Sequence, residues 1–171
     1  RPFAHQAAAI LGVGEARFSG EDAHAIVEAA RRQLERQRRG LIVMHWPDAD
    51  RAGHAHGWMS QDYGRAARSM DRALGTVTEL VDLNDPAAML VIVADHGGGG
   101  ERSHEHDSDH PLDHLIPVVF AGGGVVAAPI ADPVSLLDVP ATILWSLGVP
   151  RPASYAGRAL TSILHALPVA A

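Results

Sequence analysis

The sequence contains no cysteine and no lysine. The first absence excludes disulfides and thiolate metal sites, so any metal must be held by His, Asp or Glu. The second excludes a Walker-type phosphate loop, which needs a lysine beside its glycines. All fourteen basic residues are arginine. With the many alanines, that reads as genome composition rather than a binding surface. The formal net charge of −6 argues against nucleic acid as the main partner, because a phosphate-tracking surface is basic. No apolar run approaches the ~18 residues of a membrane span. The opening stretch, RPFAHQAAAILGVGEARF, has no initiating Met and no signal-like segment. It reads as a chain entered midway, so the sequence assigns no compartment, and it assigns no oligomeric state.

What is present is ordinary for a folded protein. The 171 residues are 47% apolar and 20% charged, enough for one domain with a real core. Residues 19–39 place acids in front and arginines behind, as the helix dipole favours. Ala23, Ile26, Val27, Ala30 and Leu34 make an apolar stripe there at helical spacing. LIVMHW follows as a short apolar run, the mark of a buried strand, and residues 47–59 read as a polar loop. Ser60 is placed to cap a second helix with Tyr63, Ala67, Met70, Leu74, Val77 and Val81 on its inner face. AMLVIVA and IPVVFAG read as further strands, DPVSLLDVPATILWSLGVP as a helix, and GRALTSILHAL closes the chain. Strand and helix alternate, which predicts one α/β domain over residues 1–171 with a mostly parallel sheet and helices on both faces.

In such sheets ligands gather beyond the carboxyl ends of the strands. Two unusual stretches lie there. PDADRAGH brings Asp50 and His54 at a spacing of four, and ADHGGGG places Asp95 beside His96 at a strand end. Carboxylate and imidazole together suit zinc, manganese and similar divalent ions. Adjacent residues at a strand end project to different sides, so Asp95 and His96 could serve two ions, or one ion and a supporting partner. Either pair alone reads as a strand cap or solvated loop; together they favour metal. Gly97–Gly100 could cradle an anion, but the plainer reading is backbone clearance beside a metal site. His45, within an apolar run, reads as a core histidine.

At this level the chain resembles the alkaline phosphatase superfamily, and most of all its type I phosphodiesterase/nucleotide pyrophosphatase branch. DRAGHAHGWMSQDYGRAARSMDRALG is similar to the D-x-x-G-H-x-x-G metal segment and the helix after it. VIVADHGGGG resembles the Asp-His-Gly strand end. IPVVFAGGGV resembles I-P-x-x-x-x-G-P-G-V, with glycine where proline is usual. SLLDVPATILWSLGVPRPASYAGRAL is similar to the C-terminal D-x-x-P-T…G-R-x-L signature.

The resemblance implies an alkaline-phosphatase-like fold and two divalent ions about 4 Å apart that clamp a phosphoryl group. Zinc is the expected metal, with manganese held by the same donors. Asp50 and His54 match two ligands of one ion, Asp95 a ligand of the other, and His96 its neighbour. The first ion is expected to take one further histidine from the loop. Spacing back from the IP strand favours His106, and the HP context favours His110; His106 ranks first. His104 and His114 read as solvent-facing or supporting, and His56 as a surface residue. Trp58, Tyr63 and Asp71 need no chemistry.

In the superfamily the nucleophile is a Thr or Ser near the start of the domain, and nothing before residue 41 matches it. The expectation is therefore the C-terminal part of a larger catalytic domain that hydrolyses phosphodiester or nucleotide pyrophosphate bonds. Its substrate would be a small phosphate ester. Sulfate-ester, phosphonate and phosphomonoester hydrolysis are the nearest alternatives. The non-enzymatic rival is a histidine-rich metal-binding module.

Overall fold

An acidic cap residue and a stripe of apolar ones make the first described segment a helix. In the computed structural model, which describes residues 22–36, 40–130 and 133–165, helix α1 spans Ala23–Arg36. The rest of that predicted helix, residues 19–21 and 37–39, lies outside the described residues, as do the ends of the two C-terminal predictions. Asp22 caps α1 by accepting the Ala25 amide at 2.9 Å. The Asp48 carboxylate accepts the Ala23 amide at 3.0 Å, so a distant acid also satisfies a donor that the helix start leaves open.

Helix α2, Asp48–His56, replaces the expected loop. Asp48 and Asp50 occupy its first turn and His54 and His56 its last. The glycine that suggested a loop, Gly53, has another role: a Cβ there would lie 2.6 Å from the Trp58 ring. Close packing, not chain flexibility, requires glycine at that point. Met59 follows in the left-handed region at φ 64°. Ser60 then accepts the Tyr63 amide at 3.1 Å and starts helix α3, Gln61–Leu80. Both α1 and α2 pack on α3. Ala23 and Val27 of α1 and Ala73 and Val77 of α3 are buried. The inner face of α3 runs through Ala66 and Ala73, and Ala67 points to solvent. These helices form one of two compact units, which divide after Leu80.

The second unit is built on strands β1, Leu90–Val93, and β2, Val118–Ala121. They pair antiparallel, Leu90 opposite Ala121 and Val93 opposite Val118. This is the only ladder among the described residues, and it departs from the parallel pairing expected. Continuous apolar runs specify burial, not strand direction, and mixed sheets are common. Between the strands lies the histidine-rich loop, with the short helix α4 at Pro111–His114. Gly122 turns the chain at φ 125° and lies so close to Ala88 that a Cβ would meet its carbonyl at 2.3 Å.

Helix α5, Asp138–Ser146, and a 3-10 turn at Thr161–Ile163 complete this unit. Leu160, Ile163 and Leu164 pack with Phe120, Val125 and Trp145 in its core. The C-terminal signature explains how they are held. Asp138 accepts the Ser135 amide and the Arg158 amide, at 2.9 and 2.8 Å. Thr142 Oγ donates to the Asp138 carbonyl at 2.7 Å and accepts the Leu160 amide at 3.0 Å. A Cβ on Gly157 would stand 1.9 Å from the Leu137 carbonyl. Asp, Thr and Gly of this motif thus latch the final segment to α5; their role is structural.

Residues 41–46 form no ladder. Exposure alternates along them, with Leu41 and Val43 at 53% and 79%, and His45 exposed rather than in a core. The period-two alternation is that of a strand, but a strand is defined by pairing, and no partner lies among the described residues. No described helix is long and apolar enough to cross a membrane.

Candidate metal centre

In the first unit the helical spacing of four puts Asp50 and His54 on one face of α2. His54 Nε2 lies 3.4 Å from Asp50 Oδ1, and both side chains are part-exposed. The Trp58 ring meets the His54 ring edge-on, with centroids 5.1 Å apart and planes at 85°. Tyr63 lies tilted near that indole, with ring centroids 6.3 Å apart. Edge-to-face aromatic contacts of this kind fix ring orientation. Trp58 therefore does more than fill space: it bears on His54 and on the Gly53 backbone at once.

In the second unit Asp95 and His96 lie just past the end of β1. His96 Nδ1 is 2.8 Å from the Gly97 carbonyl. A carbonyl can only accept, so Nδ1 is the donor in this contact, and in the neutral ring Nε2 is then the nitrogen that can bind a metal. The Asp95 carboxylate stands 3.8 Å from that Nε2. The two side chains therefore converge, where strict strand alternation would separate them. The strand ladder has ended at Val93, so the alternation no longer applies.

His106 stacks on His96 with ring centroids 3.8 Å apart and planes 16° from parallel. His110 is differently employed. Its Nδ1 accepts the Leu112 amide at 3.1 Å and caps α4. His104 and His114 are exposed, and His114 Nε2 lies 3.9 Å from Asp109. His56 is exposed at the end of α2.

The glycine run is fully committed. The amides of Gly97 and Gly98 donate to the carbonyls of Asp113 and Leu112, and Gly99 to that of Glu105, each at 2.9 Å. Gly100 donates to Asp113 Oδ1 at 2.9 Å. With all four N–H groups used, the turn has none to offer an anion. A Cβ at Gly97 would meet the Leu112 carbonyl at 1.9 Å, so clearance is what these glycines provide.

Sequence reasoning missed Asp113. It is 3% exposed, and its carboxylate collects the Gly100 amide, the Ser108 amide and the Ser108 hydroxyl. The Ser108 hydroxyl hydrogen bond holds its pKa below the usual carboxylate value; burial opposes this, and the two amides reinforce it. Nothing in the sequence separates Asp113 from Asp107, which pairs with Arg102 at the surface, or from exposed Asp109.

An α/β fold with an Asp-His strand end and an Asp/His helix pair defines the class. The chain belongs to the metalloenzyme superfamily, alkaline-phosphatase-like, whose family model matches residues 15–151. Among its relatives is the 2,3-bisphosphoglycerate-independent phosphoglycerate mutase of Ectopseudomonas mendocina. It is 28% identical over 131 residues, which cover 76% of this chain and 25% of the relative. The same-named protein of Pseudomonas fluorescens is 30% identical over 132 residues, 77% of this chain and 24% of the relative. The mutase 2 of Methanosarcina acetivorans is 25% identical over 141 residues, 81% and 26% respectively. The chain spans about a quarter of the length of these curated relatives. They carry the name of mutases, not of phosphodiesterases.

Proposed function

We propose that this chain supplies metal ligands to a two-metal centre for phosphoryl transfer on small phosphate esters. Asp50 and His54 would hold one divalent ion. Asp95 and His106 would hold ions together with His96, and His110 would serve the loop rather than the metal. The observation that carries the reading is His96. Its Nδ1 is anchored on the Gly97 carbonyl, leaving Nε2 beside the Asp95 carboxylate and the ring against His106. This donor set of carboxylates and imidazoles fits zinc, and manganese as the alternative. Bound metal would supply Lewis-acid stabilisation of charge on the phosphoryl oxygens. The chain's own residues hold the ligand tautomer and geometry. The nucleophile, a Thr or Ser by family resemblance, is assigned to no residue of this chain.

Two finer readings follow from different observations. The motif order from Asp50 to Leu160 favours hydrolysis of phosphodiester or nucleotide pyrophosphate bonds. The mutase relatives favour transfer within a phosphoglycerate. Metal analysis of the purified whole protein, followed by parallel assays, separates them. We expect two equivalents of divalent metal and activity removed by a chelator. Release of chromophore from a bis-aryl phosphate supports hydrolysis, and phosphoglycerate mutase activity supports transfer. Turnover of an aryl sulfate alone, or no bound metal, would defeat the proposal.

A further inference from the structure

The loop between Asp95 and His114 has one buried carboxylate among its described residues, Asp113. Asp113 Oδ1 accepts the Gly100 amide at 2.9 Å, and Oδ2 accepts the Ser108 amide at 3.1 Å and the Ser108 hydroxyl. Its main-chain carbonyl accepts the Gly97 amide at 2.9 Å. Gly100 and Ser108 bracket the turn that carries His106, and Gly97 is the residue after His96. One residue therefore ties together both turns whose histidines stack at 3.8 Å.

We infer that Asp113 is a positioning residue, which sets the divalent-cation affinity of the His96–His106 pair without touching the cation. This rests on the metal-centre reading above. The chemistry requires a carboxylate and not merely a polar group. Three donors converge on its two oxygens, from both sides. An amide in its place keeps one accepting oxygen and presents an NH2 to the opposite donors, so donor faces donor. Space is equally restricted: a Cβ on Gly100 would lie 2.9 Å from Asp113 Oδ1 and 2.5 Å from the His110 Cβ.

The test compares two buried carboxylates in the whole protein. Asp138 is 5% exposed and also receives two backbone amides, but it latches the C-terminal segment and not the loop. Zn2+ and Mn2+ affinities are measured by competition with a chelating indicator for wild type, Asp113→Asn, Asp138→Asn and Ser108→Ala, with Tm recorded for each. Asp113→Asn is expected to weaken binding roughly 10- to 100-fold, the range for losing an outer partner of a metal ligand. Ser108→Ala, which leaves both amide donors in place, should weaken it less. Asp138→Asn should lower Tm and leave affinity at the wild-type value. Equal losses in Asp113→Asn and Asp138→Asn would mean that Asp113 acts only through stability, and would overturn the inference. So would unchanged affinity in Asp113→Asn and Ser108→Ala. Absence of any cation binding by wild type would instead defeat the metal-centre reading itself.

Discussion

The imidazoles of His96 and His106 are stacked 3.8 Å apart, 16° from parallel, while His110 turns its Nδ1 to the Leu112 amide. Two histidines of one loop thus make different contacts, and the metal-centre proposal gives them different tasks. His106→Ala should reduce divalent-cation affinity by more than the roughly 10- to 100-fold typical of an outer partner. His110→Ala should cost at most about 1 kcal/mol of stability through the lost cap, with cation affinity nearly unchanged. Calorimetric titration with Zn2+ and a urea melt of each variant check the two halves. The reverse pattern would make His110 the ligand.

Gly53→Ala sets two effects of opposite sign against each other. Alanine is favoured over glycine inside a helix by about 1 kcal/mol. Its methyl would, however, lie 2.6 Å from the Trp58 ring, and overpacking of this kind costs about 1–3 kcal/mol. The ring is not free to retreat, since it already contacts the His54 and Tyr63 rings. Net destabilisation is therefore expected, measured as a lower urea midpoint. A more stable variant would show that Trp58 is loosely held. Trp58→Ala should remove the conflict, so that Gly53→Ala becomes stabilising in that background.

How much of this was readable beforehand can be judged residue by residue. The spacing of Asp50 and His54 and the adjacency of Asp95 and His96 are local facts, and local facts survive translation into structure. Residues 48–56 read as a loop because Gly53 signals one in sequence, whereas its purpose depends on an indole five residues later. LIVMHW has the composition of a strand, yet pairing is a property of two segments, and composition describes one. Asp113 was invisible for a related reason. Burial and convergent donors distinguish it from Asp107 and Asp109, and neither property is written in its neighbours. The Asp138–Thr142–Gly157 latch was visible as a motif, but its purpose was not.

Acid should unfold the second unit in part through the buried carboxylates of Asp113 and Asp138. Burial pushes the Asp138 pKa up, but the Ser135 and Arg158 amides and the Arg158 charge outweigh it, so the net shift is downward. Asp113 is also lowered, chiefly by the Ser108 hydroxyl. A group with a depressed folded-state pKa stabilises the fold fully above its unfolded value, about 3.9 for Asp. That contribution fades as pH falls through the lower folded-state value. Asp138→Asn should therefore lower stability at neutral pH and flatten the acid limb of a Tm-against-pH curve. A variant whose acid limb keeps the wild-type slope would remove Asp138 from the account.

Whether α2 belongs to the metal centre is decided by Asp50 and His54 themselves. A sequestering loop, with its histidines at 96–114 sufficient on their own, predicts that Asp50→Ala and His54→Ala leave metal content unchanged. The two-metal reading predicts that either change removes close to one of two equivalents and abolishes phosphoryl transfer. Both side chains are part-exposed on a helix surface, so neither truncation opens a core cavity and stability should change by less than about 1 kcal/mol. Metal content by elemental analysis, beside Tm, then reads ligation without the confusion of unfolding. The double variant should resemble either single one, because an ion that has lost one of its few protein ligands has little left to lose. Additive, independent losses would place Asp50 and His54 on different ions.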